Sequence, residues 1–341
     1  MVEVLLILDG ASEPLEGETS LEAAYSPNLD RLAAAGKLSR LRTVPEGLPI
    51  GSETAIPALL GWTPPAAVDR GALEAAALGL ELGEDEQAWR VDVLVRGDVR
   101  ASDEVAGRAT DELAGRLPGY AVRHLRGHRL LVIGPPPLAG LGRDEGPGIA
   151  VVGRAEGVEF PGEVAELRVW PEGAVPPQIL DARTVMVSAA GAAAGAARLL
   201  GAAVVVPPGA TGGVDTDLGA KAEAAECAIA DGAERVVVHV GAPDEASHVG
   251  DRAAKVASLE RIDVELTPRL AEAVAAMGGR LRICPDHGCD PRTGEHCADP
   301  VPCLDWDGEG AGVARARLTE RSAATYGPSK GQKEHRCGVA A

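Results

Sequence analysis

The chain has 341 residues and a mass of 34.8 kDa, enough for about two domains with hydrophobic cores of their own. Its net charge of −18 disfavours binding to nucleic acid or to an anionic membrane, and 4 Trp, 3 Tyr and 1 Phe leave few rings to stack on bases. No apolar stretch reaches the ~18 residues of a membrane span and the N-terminus lacks the basic start of a signal peptide, so we expect a cytoplasmic protein.

The first third of the chain predicts one buried strand followed by helices. The strand covers Val2–Leu8 and ends at Asp9-Gly10, and the helices cover Leu29–Ala35, Ser52–Leu60 and Leu73–Gly79. From about residue 91 to residue 178 the pattern changes to short β-like runs broken by Gly and Pro. We therefore predict a smaller α+β domain at 95–184, inserted into a core formed by 1–94 and 185–341.

The last third alternates helix and strand, which predicts an α/β core with a mostly parallel sheet flanked by helices. In chain order we expect a helix at 189–200, a strand at 202–206, a helix at 217–230, a strand at 235–240, a loop at 241–250, a long helix at 253–276, a strand at 280–284 and a frayed tail at 327–341.

Acidic and histidine side chains follow three of the predicted strands. In open α/β sheets such groups gather beyond the carboxyl ends of the strands, so they can converge from distant parts of the chain. Any one of them alone is usually a solvated side chain, but the six together form a ligand set for one or two divalent cations such as Mn or Zn. The six are Asp9, Asp244, His248, Asp286, His287 and His296.

Ser52 is the candidate nucleophile. It begins a predicted helix behind Gly51, and the free N–H groups and positive dipole end of a helix N-terminus favour an anion. A divalent cation on its oxygen would lower the hydroxyl pKa and activate it for phosphoryl transfer. The alternative is that Ser52 only caps the helix.

Four of the six cysteines fall within twenty residues, at Cys284, Cys289, Cys297 and Cys303. Their spacing lacks the paired C-x-x-C pattern of common structural zinc sites. We therefore expect reduced thiols, with no role assigned to the cluster.

Six segments of the sequence together carry a resemblance to a known family. They are LDG at 8–10, TSLEAAYSPNLDRLAAAGKLSRLRTVPEGLPIGSETAIPALLGW at 19–62, RGALEAAALGLELGEDEQAWRVDVL at 70–94, GATGGVDTDLGAKA at 209–222, VVVHVGAPDEASHVGD at 236–251 and DHGCDPRTGEHCADPVP at 286–302. In combination they resemble the cofactor-independent phosphoglycerate mutases, in the archaeal-type branch with its bacterial relatives, within the alkaline phosphatase superfamily.

This resemblance implies an alkaline-phosphatase-like core, an inserted substrate-capping domain and two divalent metal ions, Mn or Zn. By motif, one ion takes Asp9, Ser52, Asp286 and His287, and the other takes the set Asp244, His248 and His296. Ser52 resembles the residue that is transiently phosphorylated while a small phosphorylated substrate turns in the closed site.

The substrate side departs from the family pattern in three segments, at 95–104, 135–146 and 169–177. The remaining candidates for substrate binding are Arg70, Arg90, His128, Arg129 and Lys221, each of which could equally be a surface or structural charge. Three functions stay open: phosphoglycerate mutase, a mutase or phosphatase acting on another small phosphate or phosphonate, and a metal-binding protein without activity.

Overall fold

The computed structural model describes residues 1–96, 99–138, 144–146, 149–152, 164–308 and 315–326. The strands in chain order are β1 (Glu3–Leu8), β2 (Lys37–Leu41), β3 (Gln87–Val95), β4 (Val99–Arg100), β5 (Ala121–His124), β6 (Arg129–Gly134), β7 (Asp144–Gly146), β8 (Ile149–Val152), β9 (Val164–Val169), β10 (Thr184–Val187), β11 (Ala203–Val205), β12 (Arg235–Val240), β13 (Arg280–Cys284), β14 (Gly288–Asp290), β15 (Glu295–Cys297) and β16 (Val301–Trp306). The predicted frayed tail at 327–341 lies outside the described residues.

The helices are α1 (Ser20–Ala23), α2 (Pro27–Ala35), α3 (Ser52–Leu59), α4 (Arg70–Ala77), α5 (Asp103–Arg116), α6 (Ala192–Leu200), α7 (Leu218–Ala230), α8 (Ala242–His248), α9 (Arg252–Arg261), α10 (Thr267–Ala276) and α11 (Glu320–Tyr326). A π-helical turn at Ile262–Leu266 joins α9 to α10, where a single long helix was predicted. Among the described helices, none combines the length and the apolar character needed to cross a bilayer.

The chain divides into two compact units. The first consists of residues 1–67 and 176–341, and the second is the continuous segment 68–175. The predicted insert at 95–184 therefore starts later than the second unit. The reason is that β3 is a central strand of the second unit's sheet, and α4 packs against it through Ala75 and Ala88.

The sheet of the first unit has the strand order β11-β10-β12-β1-β13-β16-β2. The first five strands are parallel, and β16 and β2 add two antiparallel strands at one edge. Strand β1 is apolar along Val4–Leu8 and buried on both faces, as expected for the centre of a parallel sheet. The predicted α/β class and the mostly parallel sheet of the core are confirmed.

The second unit has an antiparallel sheet with the order β5-β6-β3-β9-β8-β7, and β4 pairs with β3. Helix α5 covers this sheet with Val105, Ala109 and Leu113, which pack with Trp89 and other sheet residues in a core of the unit's own. An antiparallel sheet with segregated helices is an α+β architecture, as predicted for the smaller domain.

The segment 241–250, predicted as a loop, contains helix α8. Pro243 lies in its first turn, where the missing N–H of proline does no harm, and Asp244 complements the positive end of the helix. The Gly-Ala-Pro start hides the helix from a periodicity argument because only seven residues are helical. The consequence for the site is that Asp244 and His248 are one helical turn apart and face the same side.

A buried ion pair joins the loop after β1 to helix α9. Lys255 is fully buried; its Nζ lies 3.0 Å from Glu13 Oε1 and donates to the Cys289 carbonyl at 2.7 Å. Glu320 of α11 accepts hydrogen bonds from the Glu13 amide at 2.9 Å and from the Thr19 hydroxyl at 2.8 Å. These contacts tie four segments together beside the strand ends: the loop after β1, α9, β14 and α11.

We expect Lys255→Met to lower the free energy of unfolding by about 3–5 kcal/mol, since Glu13 would stay buried without its partner. Urea denaturation followed by circular dichroism measures the loss. The exposed pair Arg183–Asp181 supplies the control: Arg183→Met should leave the free energy of unfolding nearly unchanged, because solvent screens an exposed ion pair. Equal losses in the two variants would contradict the role assigned to the buried pair.

Candidate metal centre and nucleophile

Three adjacent parallel strands bring the acidic and histidine side chains to one edge of the sheet. β1 lies between β12 and β13, so Asp9 after β1, Asp286 after β13 and α8 after β12 meet beyond the same carboxyl ends. The hairpin of β14 and β15 follows Asp286 directly and returns His296 to this edge. All the metal-ligand candidates of the sequence analysis are therefore brought together in the first unit.

Ser52 is the first residue of α3. Its hydroxyl donates to Asp9 Oδ1 at 3.1 Å, and its Oγ lies 3.3 Å from His287 Nε2. The C-terminal end of the same helix is held by the Arg235 guanidinium, which donates to the Leu59 carbonyl at 3.0 Å. The helix thus places a hydroxyl at its positive end against two metal-ligand candidates, which is more than a capping serine requires.

We name Asp9, Ser52, Asp286 and His287 the serine site. Asp286 Oδ1 accepts from the amides of Gly10 and His287, at 3.1 and 2.9 Å, while the fully buried Oδ2 has no hydrogen-bond partner. A buried carboxylate oxygen without a partner is costly unless a cation binds it. The Oδ2 atom therefore faces a position suited to a divalent cation.

His239 also belongs to this region and was missed by the sequence analysis. It lies in β12 with its Nε2 3.1 Å from Asp9 Oδ2, and its ligand atom groups with those of Asp9 and Asp286. His239 Nε2 makes no hydrogen bond. The signal in the sequence is that His239 is the single ionisable residue within an otherwise apolar buried run, VVVHV at 236–240.

We name Asp244, His248 and His296 the histidine site. His248 Nε2 lies 3.1 Å from both Asp244 Oδ2 and His296 Nε2, and Asp244 Oδ1 lies 3.4 Å from His296 Nε2. Each ring donates its Nδ1–H to a backbone carbonyl, from His248 to Gly294 at 3.0 Å and from His296 to Ile50 at 2.9 Å. This is the orientation of metal-bound histidines, with both Nε2 lone pairs directed to one point.

Three carboxylates with the same charge, those of Asp9, Asp286 and Asp244, lie close together where the two sites meet. Burial, with the nearby charges of Asp286 and Asp244, raises the pKa of Asp9 well above its usual range. Burial also lowers the pKa of His239 to about 4, so this ring is neutral and able to bind a metal at neutral pH. Three carboxylates in a dry pocket repel one another, and a divalent cation relieves that repulsion.

The side chains of the histidine site shift one another's pKa values. Although burial opposes the shift, the adjacent rings of His248 and His296 hold the pKa of Asp244 well below its usual range. Burial likewise opposes the shift of His296, but the nearby side chains of Asp244 and Cys289 raise its pKa to about 11. A divalent cation can replace the protons that these three side chains share.

The residues present fit divalent metal ions. The donors are carboxylate oxygens and imidazole nitrogens, and Asp286 Oδ2, Asp244 Oδ1 and His239 Nε2 are buried without hydrogen bonds. Water-excluded donors of this kind are satisfied by a coordinated cation. None of the cysteines among the described residues forms a disulfide.

Lys221 does not lie on the helix surface, which was one of the two positions considered for it. It is fully buried in α7 rather than on the helix surface, and its Nζ donates to the His239 carbonyl at 2.8 Å. Burial lowers its pKa to about 8. Lys221 therefore supports the strand that carries His239, and its predicted contact with substrate stays a prediction.

The remaining substrate-binding candidates lie in the second unit. Arg90 is buried, with its Nε 2.9 Å from Asp92 Oδ1, and His128 Nε2 lies 3.6 Å from Asp92 Oδ2. Arg70 stacks on the Trp170 ring at 4.0 Å, and the Trp170 indole donates to Asp92 at 2.9 Å. Three of the candidates therefore gather around Asp92 and Trp170, while Arg129 begins β6.

Gly10 separates the two sites and has no room for a side chain. Its φ is +59°, and a Cβ there would lie well inside van der Waals contact with Asp244 Oδ1. We expect Gly10→Ala to displace Asp244, to empty the histidine site of metal and to lower activity by about 10²-fold. Elemental analysis of the purified protein measures the metal.

The matched control is Gly47→Ala. Gly47 has a φ of +83° but nothing within 4 Å of its Cβ position, so an alanine there introduces backbone strain without a side-chain clash. If both variants keep the same metal content, the close approach of Gly10 to Asp244 does not matter.

One family model and two relatives are similar to this chain over most of its length. The Metalloenzyme superfamily matches residues 1–326. The chain is 32% identical to a 2,3-bisphosphoglycerate-independent phosphoglycerate mutase of Methanothermobacter thermautotrophicus, covering 89% of this chain and 88% of that protein. It is 30% identical to a probable enzyme of the same name from Geobacter sulfurreducens, covering 92% of this chain and 93% of the relative.

Two solved structures are similar across nearly the whole chain. A protein from Pyrococcus horikoshii superposes with a TM-score of 0.75 at 25% identity, covering 95% of this chain and 92% of that one. A cofactor-independent phosphoglycerate mutase from Thermoplasma acidophilum superposes with a TM-score of 0.55 at 19% identity, covering 96% of both. The second of these likenesses concerns the fold alone.

Proposed function

Because this chain belongs to the Metalloenzyme superfamily, and within it to the cofactor-independent phosphoglycerate mutases, we propose that it interconverts 2-phosphoglycerate and 3-phosphoglycerate through transient phosphorylation of Ser52. The observation that carries the proposal is the Ser52 hydroxyl at the start of α3, 3.1 Å from Asp9 and 3.3 Å from His287. This position joins a nucleophile, a helix N-terminus and metal-ligand candidates at one point.

The proposed cofactors are two divalent ions, Mn or Zn. The serine site would hold one, with His239 as a further candidate ligand, and the histidine site would hold the other. Bound there, the ions would neutralise phosphoryl oxygens and lower the pKa of the Ser52 hydroxyl.

The chain's own residues supply the nucleophile and its orientation. The Ser52 O–H bond points to Asp9 Oδ1, so the proton leaves in that direction as Oγ attacks phosphorus. The Oγ–P bond forms as the bond from phosphorus to the substrate oxygen breaks, and that oxygen takes up a proton. When the other hydroxyl of the glycerate attacks phosphoserine, the Oγ–P bond breaks and Ser52 recovers its proton. No water is consumed.

The N-terminal turn of α3 contributes to anion binding. Its dipole favours the negative phosphoryl group where Oγ attacks, and α3 is anchored at its far end by Arg235. Arg70, Arg90, His128 and Arg129 stay the predicted substrate-binding residues, as does the capping role of the inserted segment. A cytoplasmic location also stays a prediction.

The test is an assay of the Mn-loaded protein with 3-phosphoglycerate, following 2-phosphoglycerate and free phosphate together, without added bisphosphoglycerate. Isomerisation without phosphate release supports the proposal. Phosphate release without isomerisation would assign the same Ser52 chemistry to a phosphatase or to a different substrate. The departures of the sequence from the family pattern at 95–104, 135–146 and 169–177 make that outcome the one to examine next, with other small phosphates and phosphonates.

A further inference from the structure

A cysteine thiol lies among the side chains of the histidine site. The ligand atoms of Asp244, His248, His296 and Cys289 all lie within 4.8 Å of one another. Cys289 is fully buried, and no role was assigned to it by the sequence analysis or by the proposed mechanism. Its position needs an explanation because thiolate sulfur is itself a strong metal ligand.

The register of the β14–β15 hairpin directs the Cys289 side chain toward the histidine site. Cys289 in β14 is the direct antiparallel partner of His296 in β15. Residues directly opposite in such a pair project from the same face, with Cβ atoms about 4.5–5.5 Å apart. Cys297, the next residue, points to the other face of the hairpin. The same register that directs His296 to the histidine site therefore directs Cys289 there and turns Cys297 away.

The backbone of Cys289 is held at both polar atoms. Its N–H donates to the Ser12 carbonyl at 2.9 Å, and its carbonyl accepts from the buried Lys255 Nζ at 2.7 Å. Lys255 is in turn paired with Glu13. The thiol is thus presented from a fixed backbone, as preorganised ligands are.

A buried carboxylate oxygen without a hydrogen bond is a second, independent observation at this point. Asp244 is nine-tenths buried, and its Oδ1 atom has no hydrogen bond. This oxygen, the two Nε2 atoms and the Cys289 sulfur are four donors of three kinds around one position. Four donors are the number that a tetrahedral zinc ion takes.

We propose that the Cys289 sulfur is a fourth ligand of the histidine site, and that this site takes a thiophilic divalent ion such as zinc or cobalt in preference to manganese. The inference rests on the metal-dependent chemistry proposed above. On binding, the thiol proton passes to solvent and the sulfur–metal bond forms, with no change in oxidation state. The serine site has only oxygen and nitrogen donors and keeps the broader choice of metal.

The experiment loads the purified, chelator-treated protein with Co²⁺ and records its absorption spectrum. A cobalt–thiolate bond gives a charge-transfer band in the near ultraviolet, which a site with only nitrogen and oxygen donors lacks. We expect the band in the unaltered protein and its loss in both Cys289→Ser and Cys289→Ala. Zinc affinity should fall more than about tenfold in Cys289→Ser, with a smaller effect on manganese.

Two cysteine variants serve as controls. Cys297→Ser removes the neighbouring thiol on the opposite face of the hairpin, and Cys227→Ser removes an exposed thiol on α7. Both should keep the band. The inference is overturned if the cobalt-loaded protein has no thiolate band, or if the band survives in folded Cys289→Ser.

The same samples separate this inference from the proposed function. A band that depends on Cys289 in a protein that fails to isomerise phosphoglycerate leaves the ligand assignment standing and removes the substrate assignment. Isomerisation without such a band leaves the substrate assignment standing and removes the ligand assignment.

Discussion

Turnover is expected to fall by more than about 10³-fold when Ser52 is replaced by alanine, since in the proposed mechanism its hydroxyl carries the phosphoryl group between the two substrate oxygens. The loss of one small hydroxyl should leave the fold unchanged, because Ser52 contributes no buried apolar surface to the core. Rapid acid quenching with ³²P-labelled substrate should detect labelled protein in the unaltered enzyme and none in Ser52→Ala.

Ser39→Ala is the control for this result. Ser39 is a partly buried serine on the antiparallel edge of the sheet, where its hydroxyl donates to the Cys303 carbonyl at 3.5 Å. It should label and turn over like the unaltered enzyme. Turnover by Ser52→Ala within about tenfold of the unaltered rate would remove Ser52 from the mechanism.

The second large effect is the change in stability caused by Asp286→Asn. The sign of this change depends on whether metal is bound. Without metal, we expect the variant to be at least as stable as the unaltered protein. Asparagine keeps the oxygen that accepts from the Gly10 and His287 amides, and it removes one of the charges that raise the pKa of Asp9. With metal, the order reverses, because only the unaltered protein gains the binding free energy at the serine site.

The size of the reversal follows from mass action. At a metal concentration 1,000 times Kd, the unaltered protein gains about 4 kcal/mol, which raises the Tm by roughly 6 °C for a chain of 341 residues. Asp286→Asn should show little of this gain and should lose activity as severely as Ser52→Ala. Scanning calorimetry in EDTA and in Mn²⁺, with elemental analysis of each sample, measures both effects.

Asp290→Asn is the matched control, because Asp290 lies in the same segment but pairs with the half-exposed Arg292. It should keep the full metal-dependent rise in Tm. If Asp286→Asn keeps that rise as well, Asp286 is not a metal ligand.

Local chemistry explains what could be predicted before the fold was known. An uninterrupted apolar run such as 4–8 is buried whichever neighbours it finds, so β1 and the position of Asp9 at its end follow from residue type alone. The same holds for β12 and β13, whose predicted bounds are those of the structure. Ser52 was predicted as a helix start because Gly51 and Glu53 flank it.

Features that depend on neighbours distant in sequence could not be derived in this way. α8 has only seven residues, and its Gly-Ala-Pro start is typical of a loop as well as of a helix. The start of the second unit at residue 68 depends on β3 pairing with β6 and β9, which residue type does not specify. Lysine is a residue type typical of a helix surface. Lys221 is buried because α7 packs against β12, where its Nζ donates to the His239 carbonyl.

Residue type in the sequence alone thus determined the α/β class, the carboxyl ends of β1, β12 and β13, and which acidic and histidine side chains are candidate metal ligands. The tertiary structure alone decided which of these residues lie together, and it added two more candidate ligands. His239 joins because parallel register places β12 beside β1, and Cys289 joins because hairpin register sets it opposite His296. The physical reason is that a ligand's type is a property of its side chain, whereas convergence is a property of strand pairing between segments far apart in the chain.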